Sequence, residues 1–84
     1  MIDKNKLTLY HFASCPFCIR VRQFLLQEEI VIKEKDILLD PEAKRELKQI
    51  GGKTQVPCLV IDGEPLYESA DIIQWFINNE DQLK

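Results

Sequence analysis

The sequence predicts an α/β fold with its elements in the order β-α-β-α-β-β-α. Three observations predict it. Short runs of β-formers alternate with stretches whose apolar residues recur every three or four positions. Prolines stand where helices begin, at Pro16 and Pro41, and Asp62-Gly63 separates the last two strand-like runs. The composition, 45% hydrophobic and 30% charged over 84 residues, is that of an ordinary globular domain.

Leu7-Thr8-Leu9-Tyr10 alternates apolar and polar residues and is the first strand. Phe12-Ala13-Ser14-Cys15 connects it to a helix starting near Pro16, whose missing N–H would have no intrahelical partner anyway. Phe17, Val21, Phe24 and Leu25 give that helix one apolar face, with Arg20, Arg22 and Gln23 mostly off it. Ile30-Val31-Ile32 begins a second strand running to about Ile37. Asp40-Pro41 starts the second helix, an N-cap carboxylate followed by a first-turn proline. Ala43, Leu47 and Ile50 are its buried stripe, and Gly51-Gly52 ends it. Pro57 opens the third strand, Cys58-Leu59-Val60-Ile61. Asp62-Gly63 turns the chain into Pro65-Leu66-Tyr67, a short fourth strand whose proline suits a sheet edge. Glu68-Ser69 precedes the last helix, with Ile72, Ile73, Phe76 and Ile77 as core candidates and Trp75 as packing.

Residues 1–84 are expected to form a single domain. A net charge of −3 and a pI near 5.1 leave no basic surplus for phosphates, so nucleic acid is not an expected partner. No apolar run approaches the roughly 20 residues of a membrane span. Met1 to Lys6 is polar and lacks the apolar stretch of a secretory signal, so the expected location is the cytoplasm. In that reducing setting three cysteines, an odd number, argue against a structural disulfide framework.

Cys15 and Cys18 flank Pro16 and Phe17 at a strand-to-helix junction. There Cys15 faces unpaired backbone N–H groups and the positive end of the helix dipole, which favours thiolate over thiol. Cys18 lies within one turn, deeper in the helix. Cys15 is therefore expected to be exposed and to attack, and Cys18 to resolve the mixed disulfide that forms. A zinc site would need two more ligands. Cys58 and His11 could supply them, but without finger-like spacing, so no metal site is expected. Cys58, on a central strand, reads as a small core residue.

With these motifs in place the chain resembles the glutaredoxins, within the thioredoxin superfamily. Cys15-Pro16-Phe17-Cys18 is similar to their dithiol site, with Phe17 where tyrosine is usual. Gln55-Val56-Pro57 resembles the cis-proline loop. Glu68-Ser69-Ala70-Asp71-Ile72 resembles the glutathione-binding turn, in a form closer to the N-terminal domain of glutathione S-transferases than to the Gly-Gly form of ordinary glutaredoxins. The resemblance covers Leu7 to Asn78.

It implies a thioredoxin-like fold: a four-stranded mixed sheet flanked by three helices. It also implies a glutathione-dependent thiol–disulfide oxidoreductase acting on protein–glutathione mixed disulfides and protein disulfides. Cys15 and Cys18 would be catalytic, supported by Pro16 and Phe17. Glutathione would be a co-substrate, with no tightly bound cofactor, and the protein a monomer. The backbone of Val56, beside a cis Pro57, would pair with the cysteinyl backbone of glutathione; a trans proline merely opening a strand is the alternative. Glu68 and Ser69 would hold the γ-glutamyl group, beyond any capping role. Asp71 would assist its ammonium or only favour the first helical turn. Lys53, Gln55, Arg45 and Lys48 are candidates for the glycyl carboxylate, with Arg20 a weaker one.

The sequence also departs from the family. Many glutaredoxins carry a lysine three residues before the first cysteine, where this chain has Phe12; His11, one residue earlier, reads as a loop residue. Transferases of this type carry a second, helical domain beyond the length of this chain, so conjugation is not the expected main role. Two other functions compete. One is an iron–sulfur carrier in which Cys15 and glutathione ligate a cluster between two chains; Pro16 and the second thiol speak against it. The other is a redoxin linked to thioredoxin reductase, which the glutathione motif speaks against.

Overall fold

The computed structural model describes residues 2–83. A 3₁₀ turn at Lys4–Lys6 leads into β1 (Leu7–His11), followed by α1 (Pro16–Gln27), β2 (Lys33–Asp36), α2 (Pro41–Gly51), β3 (Cys58–Ile61), β4 (Glu64–Tyr67) and α3 (Ser69–Leu83). The sheet order is β2-β1-β3-β4. β1 and β2 are parallel, with Thr8 opposite Lys33; β3 is antiparallel to both β1 and β4. This is the four-stranded mixed sheet and three-helix arrangement of a thioredoxin-like fold.

Alternation along the strands divides the core in two. Leu7 and Leu9 of β1 and Leu59 of β3 pack with Val21 and Leu25 of α1 and with Ile72, Phe76 and Leu83 of α3. Tyr10, Cys58 and Val60 point the other way and pack with Ile37 and with Ala43 and Leu47 of α2. The sheet is thus covered by α1 and α3 on one face and by α2 on the other. Trp75 packs against the first cluster, its ring edge-on to Phe76 with centroids 5.2 Å apart.

The turns follow their local chemistry. The Asp40 carboxylate accepts the Glu42 N–H at 3.0 Å and caps α2, with Pro41 in its first turn. Gly52, at φ +78°, closes α2 by donating its N–H to Lys48 C=O. A Cβ on Gly51 would overlap the Tyr67 hydroxyl, so α2 reaches β4 only because glycine stands there. Asp62 and Gly63, both at positive φ, form the two-residue hairpin turn.

Four expectations need correction. The second strand is not Ile30–Ile37 but Lys33–Asp36. α1 ends in a Schellman closure: Ile30 N–H reaches Leu25 C=O at 2.9 Å and Glu29 N–H reaches Leu26 C=O at 3.2 Å, with Glu29 at φ +58°. Ile30 is used up in that closure and buries its side chain beside Leu25. Phe17, Ile50 and Ile77, assigned to apolar helix faces, are exposed. Each lies at the margin of its stripe, where the sheet no longer covers the helix.

Candidate active site

The first turn of α1 builds the thiol pair. Cys15 is the N-cap, extended at φ −77° and ψ 116°, and its Sγ accepts the Cys18 N–H at 3.3 Å. Its carbonyl accepts the Ile19 N–H at 2.9 Å, and its own N–H donates to Phe12 C=O at 3.1 Å. Pro16 sits next, where no N–H is needed. Serving as the cap turns the sulfur in over the helix, so Cys15 is 5% exposed rather than the open nucleophile expected from the sequence. Cys18 is fully buried. All three cysteines are free thiols.

Burial pushes the Cys18 thiol up to about 12, aided by its hydrogen bond to Cys15 and by charge on Cys15. The Phe12 backbone and the Arg22 guanidinium pull the other way. On balance these influences favour the thiol over the thiolate at Cys18. Arg22 is itself held by Glu34, Nε to Oε1 at 2.7 Å. His11, nearly buried, has Nε2 3.9 Å from the same carboxylate oxygen. Burial, then the Arg22 charge, lowers its pKa below 6.5 against the opposing pull of Glu34 and Asp36.

Sequence reasoning missed Asp36. Its carboxylate accepts the N–H groups of Leu38 at 2.8 Å and Leu39 at 3.1 Å, and that of Ala13 in the loop before Cys15. Burial acts to raise its pKa, but these N–H groups outweigh it and hold the carboxyl below 3.8. The only sequence signal was the readiness of aspartate to hydrogen-bond the backbone just ahead of it.

Beside the first turn of α1 lies a cleft of about 400 Å³. Gln55, Val56 and Pro57 line it from the loop before β3, Glu68, Ser69 and Ala70 from the turn into α3, and Phe17 with Arg20 from α1. The Val56–Pro57 bond is cis, as the resemblance implied. Gln55 Nε2 donates to Glu68 Oε1 at 3.3 Å and joins the loop to the turn. Glu68 stands at φ +71°, strained for a non-glycine residue, and its carbonyl accepts the Ile72 N–H at 2.9 Å to start α3. Phe17 is 57% exposed, with the Arg20 guanidinium 5.8 Å from its ring centroid.

The structure brings Phe17, Gln55, Val56, Pro57, Glu68 and Ser69 together with Arg20, the weaker of the candidate cations, whereas Cys15, Pro16 and Cys18 are not among the residues lining the cleft. Lys53 does not line it; its Nζ lies 4.3 Å from the Tyr67 ring centroid, and it borders a second groove with Arg45 and Lys48. Asp71 is exposed in the first turn of α3, outside the cleft lining. Cys58 is fully buried on the α2 side of the sheet, where burial raises its thiol against the pull of the Leu66 backbone, Tyr67 and Lys53. Among the described residues no group of three or more His, Cys, Asp or Glu is placed to hold a metal ion. No helix among them is long and apolar enough to cross a membrane.

Comparison with known proteins agrees with this fold. The family profile "Glutathione S-transferase, N-terminal domain" matches residues 9–83. Glutaredoxin 1 of Rickettsia prowazekii (strain Madrid E) is 33% identical over 60 residues, 69% of this chain and 63% of that protein. The chain thus spans less than two thirds of that relative's length. Among solved structures, glutathione transferase Omega 3C from Trametes versicolor superposes with a TM-score of 0.78 at 24% identity, over 94% of this chain and 35% of that one. A thioredoxin-like protein superposes with a TM-score of 0.74 at 28% identity, over 87% of this chain and 95% of that one.

Proposed function

Since the chain belongs to the glutathione S-transferase N-terminal domain family, within the glutaredoxin-like thioredoxin folds, we propose that it is a glutathione-dependent thiol–disulfide oxidoreductase. It reduces protein–glutathione mixed disulfides and protein disulfides through Cys15 and Cys18. The observation that carries this reading is the hydrogen bond from Cys18 N–H to Cys15 Sγ at 3.3 Å. A backbone donor at a helix N-terminus stabilises negative charge on sulfur. The buried Cys18 stays protonated beside it, so the nucleophile is Cys15.

Toward a mixed disulfide, the Cys15 thiolate attacks the glutathione sulfur. A bond forms between Cys15 and glutathione, the disulfide breaks, and the target leaves as its thiolate. A second glutathione thiolate then attacks the Cys15–glutathione bond, giving glutathione disulfide and restoring Cys15. Toward a protein disulfide, Cys15 forms a mixed disulfide with the target. Cys18 loses its proton and attacks Cys15, releasing the reduced protein and leaving a Cys15–Cys18 disulfide. Two glutathione molecules reduce that bond, and the two electrons end on glutathione disulfide.

The cleft supports glutathione as the reductant. Glu68 suits the γ-glutamyl ammonium, Ser69 at the start of α3 its carboxylate, and the Val56 backbone the cysteinyl peptide groups. Gln55 and Arg20 are the cleft's polar partners for the glycyl end. This chemistry needs no second copy of the chain and suits a reducing cytoplasm. The test is turnover with glutathione on the two substrate types. Cys15→Ser is expected to abolish both reactions. Cys18→Ser is expected to keep the mixed-disulfide reaction and lose protein-disulfide reduction. Equal loss of the mixed-disulfide reaction in both variants would refute the division of labour.

A further inference from the structure

A second groove, of about 610 Å³, runs along α2 to the loop before Gln55. Lys44, Arg45, Lys48 and Lys53 line it, with Pro41 and Thr54. These are four of the chain's eleven basic residues, gathered in one place on a molecule of net charge −3. No acidic side chain lines the groove. Arg45 is partly answered by Glu42 at 2.9 Å, on an exposed flank. Lys44 and Lys48 form no ion pair among the described residues. Thr54, in this groove, adjoins Gln55, in the cleft, so the two depressions share one loop.

We propose that this groove docks an acidic, extended segment of the target protein while its disulfide lies at Cys15. The proposal rests on the exchange reading above and names its preferred protein substrates. The spacing of the cations favours a chain over a lone anion. Lys44 and Lys48 are one helical turn apart, a rise of about 6 Å. Alternate side chains of an extended segment recur every ~6.6 Å on one side. Two carboxylates in an acidic-x-acidic pattern therefore meet both lysines, and Lys53 lies beyond them toward the cleft. A single carboxylate, such as that of the glycyl end of glutathione, would leave most of the groove's charge unanswered. Exposed charge pairs of this kind each give roughly 1.4- to 5-fold and are screened by salt. Two of them amount to roughly 2- to 25-fold in kcat/KM, on the order of tenfold.

The test compares three disulfides of glutathione: a cysteine peptide flanked by Asp-x-Asp, the same peptide with Asn in place of Asp, and the small mixed disulfide with 2-mercaptoethanol. The natural chain is expected to favour the acidic peptide over the Asn peptide by roughly tenfold at low salt, with the preference fading as salt is added. Lys44→Glu/Lys48→Glu is expected to remove the preference and leave the small disulfide unaffected. Lys44→Ala/Lys48→Ala, which keeps good helix formers at exposed sites, is expected to reduce it. Equal rates for both peptides with the natural chain would overturn the proposal. So would an equal loss on all three substrates in both variants, which would assign the lysines to glutathione itself. No turnover of even the small disulfide would instead overturn the exchange reading beneath it.

Discussion

Two thiols three residues apart stand in different surroundings. Cys15 caps a helix and receives an N–H, whereas Cys18 is sealed in the core and held as a thiol. Asp36 shows how little covalent proximity matters: it reaches from the end of β2 to fasten the loop that presents Cys15. Glu68 holds a left-handed backbone that a glycine would adopt at no steric cost. Its carboxylate meets Gln55 and borders the cleft, which gives the side chain a use that glycine could not supply. Losing a hydrogen bond to a charged group costs about 1.5–3 kcal/mol, roughly 10- to 150-fold. Glu68→Gln and Ser69→Ala should slow reduction of the Cys15–Cys18 disulfide by glutathione within that range. Dithiothreitol, which has no γ-glutamyl group, should reduce it at the natural rate. Equal slowing with both reductants would make Glu68 and Ser69 structural residues only.

At the level of elements, helix and strand signals were legible where local chemistry and tertiary packing agree. Pro16, Asp40-Pro41, Gly51-Gly52 and Asp62-Gly63 marked boundaries that the structure keeps. Ile30-Val31-Ile32 misled because β-branched residues suit a strand, while the α1 closure claims the first of them. Nothing announced that closure, since its left-handed residue is Glu29 and not glycine. A non-glycine residue there costs about 1 kcal/mol. Glu29→Gly is therefore expected to stabilise the fold by up to about 1 kcal/mol in chemical denaturation; a loss of stability would show that the Glu29 side chain does more than close the helix. The thiol pair and both cleft loops were readable as motifs. The burial of Cys15 and the reach of Asp36 were not, and Arg20 ranked below Lys53, Arg45 and Lys48 in the sequence although it is the cation that lines the cleft, because each depends on how separate elements meet.

Across the molecule, the candidate site residues stand at the ends of the strands of one sheet. The loop leaving β1 carries Cys15, the chain entering β3 carries Val56 and Pro57, and the turn leaving β4 carries Glu68 and Ser69. The sheet's edges are blunted by the charged Lys33–Asp36 strand on one side and by Pro65 on the other, which disfavours edge-to-edge strand pairing. Cys58 is sealed under α2, on the opposite face of the sheet from α1, which carries Cys15 and Cys18 at its start. That contrast sets the decisive measurement. With Cys18 replaced by Ser, only Cys15 and Cys58 remain. Exposure of this variant to glutathione disulfide, followed by intact mass and peptide mapping, should show one glutathione per chain, on Cys15, released again by added glutathione. A protein that takes up no glutathione, or takes it up on Cys58, would contradict the assignment of Cys15 as the thiol that exchanges with glutathione.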